Sequence, residues 1–231
     1  MERKFYLVVT AGGSGTRMGG PVPKQFLELD GKAVLQRTLE KFIEAIPGVK
    51  VVTVLPKDFI SLWKKYCLEH AFTYPQILVA GGITRFHSVR NALVRVPDGA
   101  FVAIHDGVRP LLSVSMIRRM VGRMSECRAL IPVMPSVDTL KALRMDWDGH
   151  LQRIVGPDPV RGEIYCAQTP QIFRSEDLKA AYTQAFDTTF TDDASVAQRA
   201  GVPLSWCEGE RLNIKLTTPE DLRLARAILS L

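Results

Sequence analysis

The chain has 231 residues, a hydrophobic content of 46% and a formal net charge of +6. These values suit one α/β domain and exclude a disordered or disulfide-scaffold protein. The basic balance favours anionic ligands, but no Lys/Arg run or basic-aromatic stripe points to nucleic acid, and no apolar run approaches the ~18 residues of a membrane span.

The opening MERKFYLVV has charge followed by a short apolar stretch without a small-residue cleavage site, so Phe5–Val9 reads as a strand and not a signal peptide. That strand runs into TAGGSGTRMGGPVPKQ (10–25), which holds five glycines, Gly12, Gly13, Gly15, Gly19 and Gly20, and two cations, Arg17 and Lys24. Glycines let main-chain N–H groups approach an anion closely, and fixed cations add formal charge, so the loop fits nucleotide phosphates. It is neither of the common phosphate motifs. No Lys-Ser or Lys-Thr follows the glycines as in a Walker loop, and Met18 stands where a dinucleotide fingerprint needs its third glycine. Pro21 and Pro23 keep a helix from starting directly after the glycines, so loop backbone and side-chain charge must do the holding.

Further along, Val51–Leu55, Gln76–Val79, Phe101–His105 and Leu130–Val133 are short apolar runs with strand character. They alternate with helical patterns over Val34–Ile46, Phe59–Leu68, Arg85–Val94 and Ser115–Ser125. The alternation predicts an α/β fold, a mostly parallel Rossmann-like sheet with helices on both faces. Ligands in such sheets bind beyond the carboxyl ends of the strands, which places 11–24, 81–84 and 106–110 on one rim. On that rim Asp106 is placed to bind Mg²⁺ or a sugar hydroxyl and Arg109 to take a phosphate. Gly82 and Ser88 bracket a helix start that can approach a base or phosphate. Arg118, Arg119 and Arg123 read as a solvated helix face.

Past Pro135 the rhythm breaks. Val137–Arg144 and Gln152–Val155 flank an Asp148-Gly149 turn signal, predicting an antiparallel arm at about 136–160 within a single domain spanning 1–231. A lone hairpin has little to bury against, so the arm is expected to pack on a second copy. Helices are then predicted over Ser175–Phe186 and Thr191–Ala200, strands over Leu204–Glu208 and Asn213–Leu216, and a last helix at Thr218-Pro219-Glu220-Asp221. Lys215 within an apolar run either points outward or meets an anion, and Arg161 suits an anion in general. Asp192 and Asp193 read as acids complementing a helix dipole. Four scattered cysteines, Cys67, Cys127, Cys166 and Cys207, read as reduced cytoplasmic thiols, and the four histidines show no zinc spacing.

Seven ordered blocks, AGGSGTRMG with PKQF, GGITRFHSV, HDGVRP, DTLK, QTPQIF, TDDAS and NIKLTTPEDL, resemble the 2-C-methyl-D-erythritol 4-phosphate cytidylyltransferase family nearly end to end. The resemblance implies an arm-exchanged homodimer that uses CTP, a sugar-alcohol phosphate acceptor and Mg²⁺ held mainly through the triphosphate. It implies that Arg17 and Lys24 stabilise the transition state, that Arg161 and Lys215 position the acceptor phosphate, and that Ala11, Gly12, Gly13, Gly15, Gly82 and Ser88 hold the nucleotide. Asp106, Arg109, Thr139, Thr169 and Thr191 would line the acceptor pocket, those on the arm serving the partner's site. Ribitol-5-phosphate cytidylyltransferases share the glycine loop, QTPQ and NIK, but the R-x-x-S-V block at Arg85–Val89 and Arg161 favour the erythritol family. The chain departs from the family's commoner pattern at TAGG, at HDGVRP, at Ile83 and at Val160.

Overall fold

In this computed structural model, which describes residues 3–13 and 22–230, the apolar run after the N-terminus forms β1 (Phe5–Thr10) in the middle of an eight-stranded sheet. The chain continues through β2 (Glu28–Leu29), β3 (Lys32–Ala33), α1 (Val34–Ala45), β4 (Lys50–Leu55), α2 (Ile60–Glu69), β5 (Gln76–Ala80), α3 (Arg85–Leu93), β6 (Phe101–Asp106), α4 (Val114–Arg123) and β7 (Ala129–Pro135). After an excursion with β8 (Leu143–Met145) and β9 (Leu151–Arg153) come β10 (Tyr165–Ala167), β11 (Gln171–Arg174), α5 (Ser175–Ala181), α6 (Asp193–Arg199), β12 (Ser205–Glu208) and α7 (Pro219–Leu229). The sheet order is β10-β7-β11-β6-β1-β4-β5, with β12 paired to β7.

Strand alternation sends successive β1 side chains to opposite faces. Leu7 and Val9 join Leu35, Leu39 and Phe42 of α1, Trp63 of α2, and Met116, Ile117 and Met120 of α4. Val8 joins Val52 and Val54 of β4, Phe86 and Val89 of α3, Leu178 of α5 and Val196 of α6. Helices therefore cover both faces, as the element pattern predicts. The parallel register sets Thr10 of β1 beside Val54 of β4 and Asp106 of β6, so three strands end together at one rim.

Helix starts follow local chemistry. Thr84 caps α3 by accepting from the His87 N–H. Thr218 and Asp221 form a capping box on α7 with Pro219 in its first turn, which satisfies orphan N–H donors reciprocally. Arg118, Arg119 and Arg123 are exposed on α4, as expected, and donate to the carbonyls of Glu44, Glu208 and Trp206.

Several boundaries differ from expectation. Four described antiparallel strands lie outside the predicted set: β2 and β3 pair with each other, β11 inserts between β6 and β7, and β10 pairs with the end of β7. The expected helix Ser175–Phe186 stops at Ala181, where the Gln184 amide donates to the carbonyls of Ala181 and Val196 and ties off both chain segments. The helix expected from Thr191 begins at Asp193, because Asp192 is its N-cap and shares a capping box with Ser195. Asn213–Leu216 is not a strand. The Asn213 amide donates to the Thr169 carbonyl, and the Leu216 N–H donates to Val108, so the segment lies across loops outside any ladder.

The arm is present but shorter than expected. Instead of Val137–Arg144 and Gln152–Val155, the paired strands are β8 and β9, which among the described residues form a ladder only with each other. The Asp-Gly turn forms as predicted: the Asp146 carboxylate accepts from the Asp148 and His150 N–H groups, and Gly149 adopts φ +84°. That φ is open to glycine at no steric cost. Trp147 and Val155 are 93% and 100% exposed, so the arm buries neither of these side chains within its own chain.

Candidate active site

At the rim where β1, β4 and β6 end, a cleft of about 320 Å³ opens between the glycine-rich segment, the start of α3 and the C-terminal segment. Its first wall is Ala11, Gly12 and Gly13. The Ala11 N–H donates to the Val54 carbonyl, extending the β1–β4 pairing one residue past the strand. Lys24 enters from a 3-10 turn (Lys24–Phe26), and its stem passes Gly13, where an added Cβ would lie 3.6 Å from Lys24 Cε. Gln25 in the same turn is fully buried and donates from Nε2 to the Ala11 carbonyl at 2.8 Å. That bond couples the turn carrying the lysine to the base of the glycine loop.

The second wall is Gly82, Ile83, Thr84, Arg85 and Ser88. Ser88 Oγ accepts from the Gly82 N–H and donates to the Thr84 carbonyl, both at 3.0 Å. A Cβ on Gly82 would approach His87 Cβ to 2.4 Å, so a side chain there would force the turn apart. Ile83 projects from this wall 97% exposed.

The floor is Asp106, which is 7% exposed and carries several charge contacts. Arg109 Nε and Lys215 Nζ each lie 3.2 Å from its Oδ2, and Arg85 Nε lies 3.9 Å from its Oδ1. The Asp106 N–H donates to Thr169 Oγ1 at 3.1 Å. Burial alone pushes the Asp106 carboxyl up; Arg85, then Lys215 and Arg109 outweigh burial and hold it well below the ordinary aspartate range. Arg85 also donates to Asp193 at 2.6 Å, and Tyr182 donates to the other Asp193 oxygen at 2.6 Å. Burial pushes the Tyr182 phenol up, with the Asp193 charge adding to it.

Beside Asp106, His105 is fully buried against Phe42, with Nδ1 lacking any partner. Burial lowers its imidazole to about 3. A group depressed on folding stabilises above its unfolded pKa, and that contribution is lost as pH falls toward the folded value. Urea unfolding should therefore show stability declining as pH falls from ~6.5 toward 3. A His105→Gln protein should show a shallower decline over that window; equal slopes would contradict the neutral buried imidazole.

Eight of the sequence-predicted site residues meet in this cleft: Ala11, Gly12, Gly13, Lys24, Gly82, Ser88, Asp106 and Lys215. Arg109 sits behind Asp106, its guanidinium also donating to the Asn213 carbonyl at 2.7 Å, and Thr169 holds the Asp106 backbone. Neither Arg109 nor Thr169 lines the cleft, and neither do Thr139, Arg161 and Thr191, which are exposed. Thr139 and Arg161 flank the arm. Gly15 and Arg17 lie outside the described residues. Two expectations change. Lys215 is not on a strand, yet of its two alternatives the anion is realised. Asp193 is a fully buried partner of Arg85, beyond any dipole role, while Asp192 is the cap. Arg85 and Gln25 carry the site's geometry although the sequence reading assigns neither a role: both lie in its motif blocks, but Asp193 is 108 residues from Arg85 and the Gln25–Ala11 bond crosses a loop. Among the described residues no group of three His, Cys, Asp or Glu side chains could hold a metal ion.

Comparison with known proteins shows the family. The family model for IspD, 2-C-methyl-D-erythritol 4-phosphate cytidylyltransferase, matches residues 5–231. The enzyme of that name from Bacteroides thetaiotaomicron is 43% identical over 98% of this chain and 100% of its own. That from Porphyromonas gingivalis is 42% identical over the full length of both chains. The crystal structure of 4-diphosphocytidyl-2C-methyl-D-erythritol synthase from Anaerococcus prevotii superposes with a TM-score of 0.77 at 27% identity, covering 99% of each chain. On sequence and structure alike, the chain belongs to the 2-C-methyl-D-erythritol 4-phosphate cytidylyltransferase family.

Proposed function

We propose that this protein transfers CMP from CTP to 2-C-methyl-D-erythritol 4-phosphate, releasing pyrophosphate in isoprenoid precursor synthesis. The observation that carries the proposal is the placing of Lys24 and the Lys215–Asp106 pair in one cleft beside a glycine-rich backbone. An acceptor phosphate oxygen attacks the α-phosphorus of CTP, a new P–O bond forms, and the bond to the β-phosphate oxygen breaks. No general base is needed, because a phosphate monoester with a second pKa near ~6 is mostly dianionic at neutral pH.

The barrier is bringing that dianion to a triphosphate. Each unit-charge pair at ~4 Å repels by roughly 4 kcal/mol at an effective dielectric of ~20. Lys24 acts on the reacting phosphates and Lys215 on the acceptor phosphate, which fits their positions on the cleft wall. Arg17 is assigned the same transition-state role by family membership. Asp106 accepts acceptor hydroxyls at the floor, with Arg109 and Thr169 holding it in place and Thr191 near the acceptor. The backbone of Ala11 to Gly13, Gly15 and Gly82, with Ser88, holds the nucleotide. Asp106 already has three cationic neighbours, which fits Mg²⁺ arriving on the triphosphate as part of the substrate. When bound there it supplies further charge neutralisation.

We further propose a cytoplasmic homodimer in which the arm crosses to the partner and delivers Thr139 and Arg161 to its cleft. The arm's exposed Trp147 and Val155, and a strand pairing that among the described residues is with itself alone, support this. Free cysteines support the reducing compartment.

Light scattering should give about twice the 25.7 kDa chain mass. Asp at Trp147 and Val155 together should shift the protein toward monomer; a wild-type monomer at micromolar concentration would contradict the arm's role. Pyrophosphate release from CTP should be much faster with methylerythritol 4-phosphate than with ribitol 5-phosphate. A preference for ribitol phosphate, or no turnover with either, would overturn the acceptor assignment. Lys24→Ala should lower kcat by ~10²–10³, as losing a transition-state donor does, with CTP binding changed far less.

A further inference from the structure

Among the described residues five charged groups meet beneath the cleft, and their charges do not cancel. Asp106 and Asp193 contribute two negative charges; Arg85, Arg109 and Lys215 contribute three positive ones. Arg85 is the only one of the five that touches both carboxylates, at 2.6 Å from Asp193 and 3.9 Å from Asp106. Without Lys215 the remaining four groups sum to zero. Lys215 is also the most exposed of the three cations, at 43% against 30% for Arg85 and 13% for Arg109. The neighbouring Asp192 is held by neutral donors, the Gln171 amide and the Ser195 N–H.

We propose that Arg85 is a positioning residue whose bridge between Asp193 and Asp106 neutralises the floor of the cleft, so that Lys215 can leave Asp106 for the acceptor phosphate. The inference rests on the cytidylyltransferase reading above. A buried carboxylate cannot give up a cation unless others remain. When Lys215 turns to the phosphate, Asp106 keeps Arg109 on one oxygen and Arg85 on the other, while Asp193 keeps Arg85 and the Tyr182 hydroxyl. Of the neighbouring charges, Arg85 acts most strongly on Asp106. Arg85 opens α3 directly after the glycine turn and Thr84 cap, so the same segment that walls the nucleotide side also sets the charge on the acceptor side. Arg85 itself touches no reacting atom in this scheme.

Neutralising Arg85 leaves two carboxylates facing two cations, and Lys215 is then held back by Asp106. Initial-rate kinetics on the full chain with CTP and methylerythritol 4-phosphate test this. Arg85→Gln should raise the acceptor KM about tenfold or more, as losing one close charge pair does, while the CTP KM moves much less. Adding Asp193→Asn should restore most of the acceptor KM, because it removes the surplus negative charge. A merely structural role would instead raise the CTP KM together with the acceptor KM, because Arg85 opens the helix whose first turn walls the nucleotide side. An unchanged acceptor KM in Arg85→Gln, or a double variant no better than the single one, overturns the proposal. If Arg85→Gln does not fold, Asp193→Asn alone decides: the floor gains positive charge and the acceptor KM should fall, whereas an unchanged or raised KM overturns the proposal. A wild-type protein without CMP transfer would instead overturn the function itself, so the two failures are distinguishable.

Discussion

Asp106 is a carboxylate at the buried end of a central strand, and a charge there is tolerable only if other charges come to it. They come from three places in the chain: Arg85 from the start of α3, Arg109 from the loop after β6, and Lys215 from the segment before α7. Removing one partner from a buried pair typically costs about 3–5 kcal/mol, so this carboxylate helps hold the cleft together as well as serving it. Thr169 pins its N–H, and the Thr169 carbonyl takes the Asn213 amide two residues before Lys215. Floor and C-terminal wall are thereby tied to the same residue.

The sheet explains why such distant residues meet. Parallel register ends β1, β4, β5 and β6 at one rim, and the chain segments leaving β1, β5 and β6 there line the cleft. The glycine segment leaves β1, the Gly82–Ser88 turn leaves β5 for α3, and Asp106 is itself the last residue of β6. Gln25 closes the arrangement by bonding the Lys24 turn to the Ala11 carbonyl. In the resulting cleft Arg85, Arg109 and Lys215 have carboxylate neighbours before any ligand enters, the preorganisation that electrostatic catalysis requires.

Much of this was legible in one dimension. Alternating apolar runs identify the parallel core, Ala11–Gly13, Lys24 and Asp106 lie on the expected rim, and Thr218-Pro219 marks the last helix where it occurs. What was not legible has a common physical cause. Strands β10 and β11 are three and four residues long and pair antiparallel with strands far earlier in the chain, so neither periodicity nor turn residues announce them. Asn213–Leu216 has strand-like composition, but side-chain hydrogen bonds to the Thr169 loop claim it first. Asp193 resembled a dipole acid because local spacing cannot reveal a partner 108 residues upstream. Tertiary charge pairing, invisible to local pattern, decided each residue of the floor.

The central claim is that Asp106 is kept ionised by the cations around it. A carbon-13 NMR pH titration of its side-chain carboxyl in the folded protein, assigned with Asp106→Asn, tests this most directly. The account predicts a carboxylate still ionised well below the ordinary aspartate pKa of ~3.9. A titration midpoint at or above that ordinary value would show that Arg85, Arg109 and Lys215 do not hold it, and would contradict the account.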